Sequence, residues 1–316
     1  MKRVVQVVIL LVIPALFGGF VRPPLKWVAI GDSITYLNDH LGETKNRLTR
    51  GYLTDLTDRL PYIHYINQGR NGWTTTNFAR SIEQPRSVGQ PRSIEQPRSV
   101  EQPAIPVGDL YTVFLGTNDW WQGHRIGRWE DFRQATGDST IYGCFRIILD
   151  KIHQLNSNAP VILITPMPRA DFVYINDAKN NAYGSYREKD GQTLEQVAEA
   201  IIDIGRHKRL RVIDLYHEKR LAIPRLVRFK RLKDPQTGAY QNYPYPAYTT
   251  IPFNPLTDDY PYPPEAVDMT YDGLHPSDKG DSLIADKLVK SISSISLNLH
   301  HFSRGPIKIP LISSPF

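Results

Sequence analysis

Trp27-Val28-Ala29-Ile30-Gly31-Asp32-Ser33-Ile34-Thr35 is the stretch whose reading decides the fold. An unbroken apolar run ends in small polar residues. Continuous hydrophobicity without alternation suits a strand buried on both faces, as in a parallel sheet covered by helices. Outward from it, similar runs at Tyr62–Asn67, Leu110–Leu115, Pro160–Thr165 and Leu210–Leu215 join Lys26–Ile30 as candidate strands. Between them, helical patterns occupy Gly51–Leu60, Ile141–Leu155 and Gln192–His207, with a last one at Lys279–Ile292. In the third, Leu194, Val197, Ala198, Ile201 and Ile202 recur at helical spacing; Leu283, Ile284, Leu288 and Val289 do so in the last. Strand–helix alternation of this kind predicts an α/β chain with a three-layer α/β/α arrangement and a five-stranded parallel sheet.

In such sheets, ligand-binding groups gather at the carboxyl ends of the strands, near a switch in strand order. Three blocks sit there: Gly31-Asp32-Ser33-Ile34-Thr35 after the first strand, Asn67-Gln68-Gly69-Arg70-Asn71-Gly72-Trp73-Thr74 after the second, and Gly116-Thr117-Asn118-Asp119 after the third. A fourth, Asp272-Gly273-Leu274-His275-Pro276, precedes the last helix. Acyl transfer needs a nucleophile, a base held by an acid, and donors for the oxyanion. Ser33, His275 with Asp272, and the pair of Gly72 and Asn118 are candidates for those parts. Taken alone each block is ordinary: Asp32 or Ser33 can cap a helix, glycine marks turns, and Asn118 can be a turn residue. Gly69 is expected to shape the second loop, and Asp119 to fix the third loop without reacting. Gly280-Asp281-Ser282-Leu283 spells the first motif again, but it follows no strand and lies within a helical stripe. Ser33 is therefore the candidate and Ser282 is rejected.

Together the four blocks resemble the SGNH hydrolase superfamily, the GDSL esterases and lipases, over about residues 26–295 apart from the insertions described below. The resemblance implies a flavodoxin-like five-stranded sheet. It implies Ser33 as nucleophile, Asp272 and His275 as its partners, Gly72, Asn118 and the Ser33 N–H as oxyanion donors, and no metal or other cofactor. Ile34-Thr35 departs from the family's usual Leu and small residue. Within that class, Trp120 and Trp121 are expected to be exposed and to bind substrate, a small-molecule or carbohydrate ester. A carbohydrate O-acetyl esterase is the leading reading, with a lysophospholipase, lipase or thioesterase as the enzyme alternative. A non-enzymatic glycan-binding protein is a further alternative. A metallophosphoesterase would require a His and carboxylate cluster, and no Asp-x-His precedes the first motif.

The rest of the chain bounds these readings. Its 316 residues, 41% hydrophobic and 22% charged, can bury a large core. The one cysteine, Cys144, excludes an intramolecular disulfide and a cysteine-based zinc site. Lys2 and Arg3 precede an apolar run from Val4 to Phe20, so residues 1–25 read as an export signal or an N-terminal anchor. Gln6, Pro14 and Gly18-Gly19 favour the signal. Residues 80–103 are four copies of Arg-Ser-(Ile/Val)-(Glu/Gly)-Gln-Pro, whose regular prolines oppose a helix. They read as a low-complexity insertion between the second and third strands. Residues 228–268 form a Tyr/Pro-rich loop whose aromatics either stack on sugars or bury the loop against the domain. Residues 297–316 read as a tail beyond the last helix. The net charge of +6 is concentrated between Arg206 and Lys233, where eleven Lys/Arg face Asp214 and Glu218. Such a run suits a solvated face, or an anionic glycan or membrane surface. No nucleic-acid-binding signature accompanies it.

Overall fold

Apolar strands that alternate their side chains between two helix layers organise the chain, whose computed structural model describes residues 24–83 and 105–302, with side chains to residue 295. The N-terminal run and most of the hexapeptide repeat lie outside the described residues, as does the end of the tail.

In chain order, β1 (Leu25–Gly31) leads into the short helix α1 (Ser33–Tyr36) and then α2 (Tyr52–Arg59). Next come β2 (Ile63–Gly69), α3 (Thr75–Glu83), β3 (Leu110–Phe114), α4 (Thr117–Trp121) and α5 (Trp129–Gln134). Helix α6 (Ile141–Leu155) precedes β4 (Val161–Ile164) and a small hairpin, β5 (Phe172–Val173) with β6 (Asn181–Ala182). Then follow α7 (Leu194–Lys208), β7 (Arg211–Ile213), a second hairpin of β8 (Lys230–Lys233) with β9 (Tyr240–Tyr243), and α8 (Asp278–Phe302).

The five expected strands form one parallel sheet in the order β2-β1-β3-β4-β7. Strand order reverses at β1, so a crevice opens at the carboxyl ends of β1 and β3. Successive strand residues point to opposite layers. Trp27, Ala29, Phe114, Ile162 and Ile164 pack with α2 and α8, whereas Val28, Ile30, Tyr111, Val113 and Leu163 pack with α6 and α7. Each such fully buried aliphatic side chain contributes about 1.5–3 kcal/mol. Trp27, also fully buried, satisfies its indole N–H by donating to Thr112 Oγ1 at 3.0 Å.

Three sequence expectations change. Arg80–Glu83, the start of the first repeat copy, forms the last turn of α3, because the first proline of the repeat comes only at residue 85. Helix α8 continues to Phe302, past the expected end at Ile292, since no proline or glycine stops it there. The 228–268 segment is not loop throughout, and of the two uses read for its aromatics two tyrosines take the burying one. It holds the β8–β9 hairpin, and Tyr248 and Tyr262 are buried in the core. Lys230 anchors that hairpin by a buried ion pair to Asp171 at 2.9 Å. The basic run is also partly neutralised: Arg206 pairs with Asp203, Arg220 with Glu218 and Lys233 with Asp258. Among the described residues, no helix is long and apolar enough to cross a membrane.

Candidate active site

The backbone turns sharply as β1 ends, and buried Asp32 caps α1 by accepting from the Ile34 N–H at 3.0 Å. Ser33 is thus the first residue of a helix. Its N–H has no acceptor within that helix and is available to a ligand. Gly31 is required for the approach: a Cβ there would meet Thr35 Oγ1 at 1.9 Å.

The fourth block folds back to the same edge. Tyr271 N–H donates to the His275 carbonyl at 3.0 Å, closing a turn in which Gly273 takes φ +90°. A Cβ on Gly273 would lie 2.0 Å from the Asp171 carbonyl, so only glycine fits. Asp272 Oδ1 accepts from the N–H groups of Leu274 at 3.0 Å and His275 at 2.8 Å. Its Oδ2 lies 2.7 Å from His275 Nδ1. A carboxylate at that distance fixes the proton on Nδ1 and leaves Nε2 as an acceptor. The Ser33 hydroxyl donates to it at 2.9 Å. Asp272 is wholly buried and His275 is 5% exposed, with Phe172 edge-on to the imidazole and Tyr271 stacked on it.

Electrostatics follow from that burial. Burial disfavours the His275 imidazolium, but the charge and hydrogen bond of Asp272, with the charge of Asp32, outweigh it; Arg169 opposes them. The balance raises the imidazole above the ordinary histidine value. Burial pushes the Asp32 carboxyl up to about 7, against the Ile34 N–H and the His275 charge.

Gly72 and Asn118 come to the other side of the cleft. Gly72 is exposed at φ +70°, and nothing lies within 4 Å of where its Cβ would be. Gly69 corrects the expectation of a turn glycine: its φ is not positive, and a Cβ would strike the Tyr36 nitrogen at 2.2 Å. It lets β2 pass close to α1. Asn118, the second residue of α4, donates one amide hydrogen to the Trp73 carbonyl at 3.0 Å, leaving the second free. Asp119 is buried and accepts from the Thr75 N–H at 3.0 Å and its hydroxyl at 2.6 Å. It ties the first residue of α3, just past the Gly72 loop, to α4.

Trp120 is not an exposed substrate-binding residue. It is fully buried, and its indole N–H donates to the Gln192 carbonyl at 2.9 Å. Trp121 is half-buried against Phe172, Ala182 and Leu274, and Phe172 in turn packs edge-on against His275. Ser282 lies in α8, where Arg59 donates to it at 2.9 Å. The sequence reading missed Phe172 and Arg169, whose roles arise from contacts with residues distant in the chain. Among the described residues, no group of three His, Cys, Asp or Glu side chains is placed to hold a metal ion.

The GDSL-like Lipase/Acylhydrolase family matches residues 29–283, spanning all four blocks. A crystal structure of a possible lipase from Chitinophaga pinensis is 53% identical, with a TM-score of 0.79 over 86% of this chain and 99% of that one. A protein from Lactobacillus plantarum, 19% identical, shares the fold with a TM-score of 0.53 over 86% of this chain and 98% of its own. No curated protein matches the chain. The chain belongs to the GDSL-like lipase and acylhydrolase family, within the SGNH hydrolase superfamily, and is an ester-hydrolysing enzyme of that class.

Proposed function

We propose that the protein is an exported serine esterase that removes small acyl groups from carbohydrate esters through Ser33, His275 and Asp272. The observation that carries this reading is the unbroken hydrogen-bond chain from the Ser33 hydroxyl through His275 to Asp272. Ser33 Oγ attacks the acyl carbonyl while His275 Nε2 takes its proton, and Asp272 orients the ring and stabilises the imidazolium. The oxyanion is received by the N–H groups of Ser33 and Gly72 and the Asn118 amide, each contributing about 3–4 kcal/mol to lowering the barrier. His275 then protonates the leaving alcohol. Water, deprotonated by His275, attacks the acyl-enzyme and releases the acid and Ser33.

A polar rim supports a hydroxylated alcohol as the leaving group. Asn71 and Gln122 are exposed beside Gly72, and Gln122 donates to the Gly72 carbonyl at 3.1 Å. Trp121, partly exposed beside them, adds an aromatic surface against which a sugar could pack. Export rests on the Lys2-Arg3 start and the apolar run that follows. A second reading, hydrolysis of longer acyl chains, is favoured by the apolar wall of Trp121, Phe172 and Leu274 and by the possible lipase that this chain resembles.

Turnover of p-nitrophenyl acetate against the octanoate, followed by acetate release from acetylated xylan and pectin, separates the two. The proposal expects the acetate ester and an acetylated polysaccharide to be preferred. Preference for octanoate with no polysaccharide activity would establish the second reading instead.

A further inference from the structure

Arg169 lies in the loop after β4, at the same sheet edge as Ser33. Its side chain is long and charged, yet the residue is only 2% exposed. The guanidinium carbon stands 4.8 Å from the Trp120 ring centre and 4.7 Å from that of Trp121, so both indoles of α4 grip one cation. Nη2 donates to the Tyr183 carbonyl at 2.7 Å, and buried Nε has no hydrogen-bond partner. The Arg169 backbone is held as firmly: its N–H donates to Ser185 Oγ at 2.9 Å, and its carbonyl accepts from the Ser185 N–H at 2.7 Å. The next residue, Ala170, donates to the Gly273 carbonyl at 2.9 Å, inside the turn that carries Asp272 and His275.

A buried cation with an unmet N–H costs several kcal/mol relative to an apolar side chain, so packing alone does not account for it. Its placement does. We propose that Arg169 is a positioning residue of the hydrolytic site, its guanidinium clamping α4, and with it the Asn118 amide, against the turn that holds Asp272 and His275. The inference rests on the triad reading and extends it to a residue that touches neither substrate nor Ser33.

The clamp also carries charge toward the base. The charged groups acting on His275 are Asp272 in its own turn, Asp32 at the end of β1, and Arg169 after β4. The two carboxylates favour the imidazolium and Arg169 disfavours it. Burial pulls the Arg169 guanidinium itself down to about 10, opposed by Asp171, Tyr183, Asp272 and Tyr186, so it remains a cation at neutral pH. It therefore keeps His275 a neutral base to lower pH than the two carboxylates alone would allow.

The test is the pH profile of p-nitrophenyl acetate hydrolysis by wild type, Arg169→Met and Arg169→Lys, with fluorophosphonate labelling of Ser33 in all three. Arg169→Met, close in length but uncharged, should lower kcat roughly 10–100-fold, the scale of a small misplacement of catalytic groups. Its KM should stay within about threefold, and the acid limb of kcat/KM should move to higher pH. Arg169→Lys should keep the wild-type acid limb. It should recover kcat only in part, because an ammonium lacks the flat fork that the two indoles and the Tyr183 carbonyl hold. Folded variants with wild-type kcat and an unmoved acid limb would overturn the clamp. Should Arg169→Met fail to fold, wild-type kcat in Arg169→Lys would overturn it alone. Absence of labelling at Ser33 in the wild type would instead overturn the triad reading, so the two failures are distinct.

Discussion

The turn at residues 270–277 and the loop at residues 69–74 bring their groups to one cleft by different means. The turn is buried and bonded on every side. Thr270 N–H donates to the Leu226 carbonyl at 2.8 Å, Val173 N–H to the Asp272 carbonyl at 3.1 Å, and Ser277 N–H to the Met269 carbonyl at 3.0 Å. The loop presents exposed Asn71 and Gly72, and its Trp73 and Gly72 carbonyls are held from α4 by Asn118 and from just past it by Gln122, while Asp119 holds Thr75 where the loop ends. The acid–base pair is thus preorganised by its own turn, whereas the oxyanion donors depend on a neighbouring helix. Damage to the first should act on chemistry outright; damage to the second should act by degrees.

The largest effect belongs to the turn. Asp272→Asn keeps the Oδ1 acceptor for the Leu274 and His275 N–H groups, so the fold should survive, but it places a donor against Nδ1 and favours the wrong tautomer. A loss of roughly 10⁴-fold in kcat is expected, measured on p-nitrophenyl acetate with a thermal melt as control. Asn118→Ala removes one donor from the other side of the cleft and should cost about 10²–10³-fold in kcat with little change in KM. If the two variants lose equally, the contrast between the halves is wrong.

The glycines sharpen the same contrast in stability. Gly273→Ala combines φ +90° with a Cβ 2.0 Å from the Asp171 carbonyl, so it should unfold the turn and lower the melting temperature severely. Gly72→Ala meets no atom and should cost only the left-handed backbone, about 1–2 kcal/mol. The smallest effect is at Asp32. With its carboxyl raised to about 7, the folded chain keeps a proton that the unfolded chain loses near pH 4, so stability from that proton falls as pH rises through about 7. Asp32→Asn retains an acceptor for Ile34 and should escape this loss. Its gain in melting temperature over wild type should grow between about pH 4 and pH 7.

How much was legible follows the physics of each part. Strands buried on both faces are apolar throughout, so β1, β3 and β4 announced themselves from Trp27-Val28-Ala29-Ile30 onward, whereas their order in the sheet leaves no local trace. The turn around Gly273 was legible because its bonds are local: Asp272 and His275 stand three apart and cap one another. Trp120 was misread because a five-residue helix is too short for periodicity to separate its inner from its outer side. What buries it, Arg169 and the Gln192 carbonyl, comes from far along the chain. The β8–β9 hairpin was missed for a related reason. Its sequence is polar, and the buried Lys230–Asp171 pair joins residues 59 positions apart.

Mass spectrometry of the intact and digested protein after fluorophosphonate treatment asks most directly whether folding has made one serine out of many nucleophilic. A single adduct on Ser33, with esterase turnover lost in proportion to labelling and absent in Ser33→Ala, is the predicted result. An adduct on Ser282 or another hydroxyl in its place, or undiminished turnover in Ser33→Ala, would contradict it.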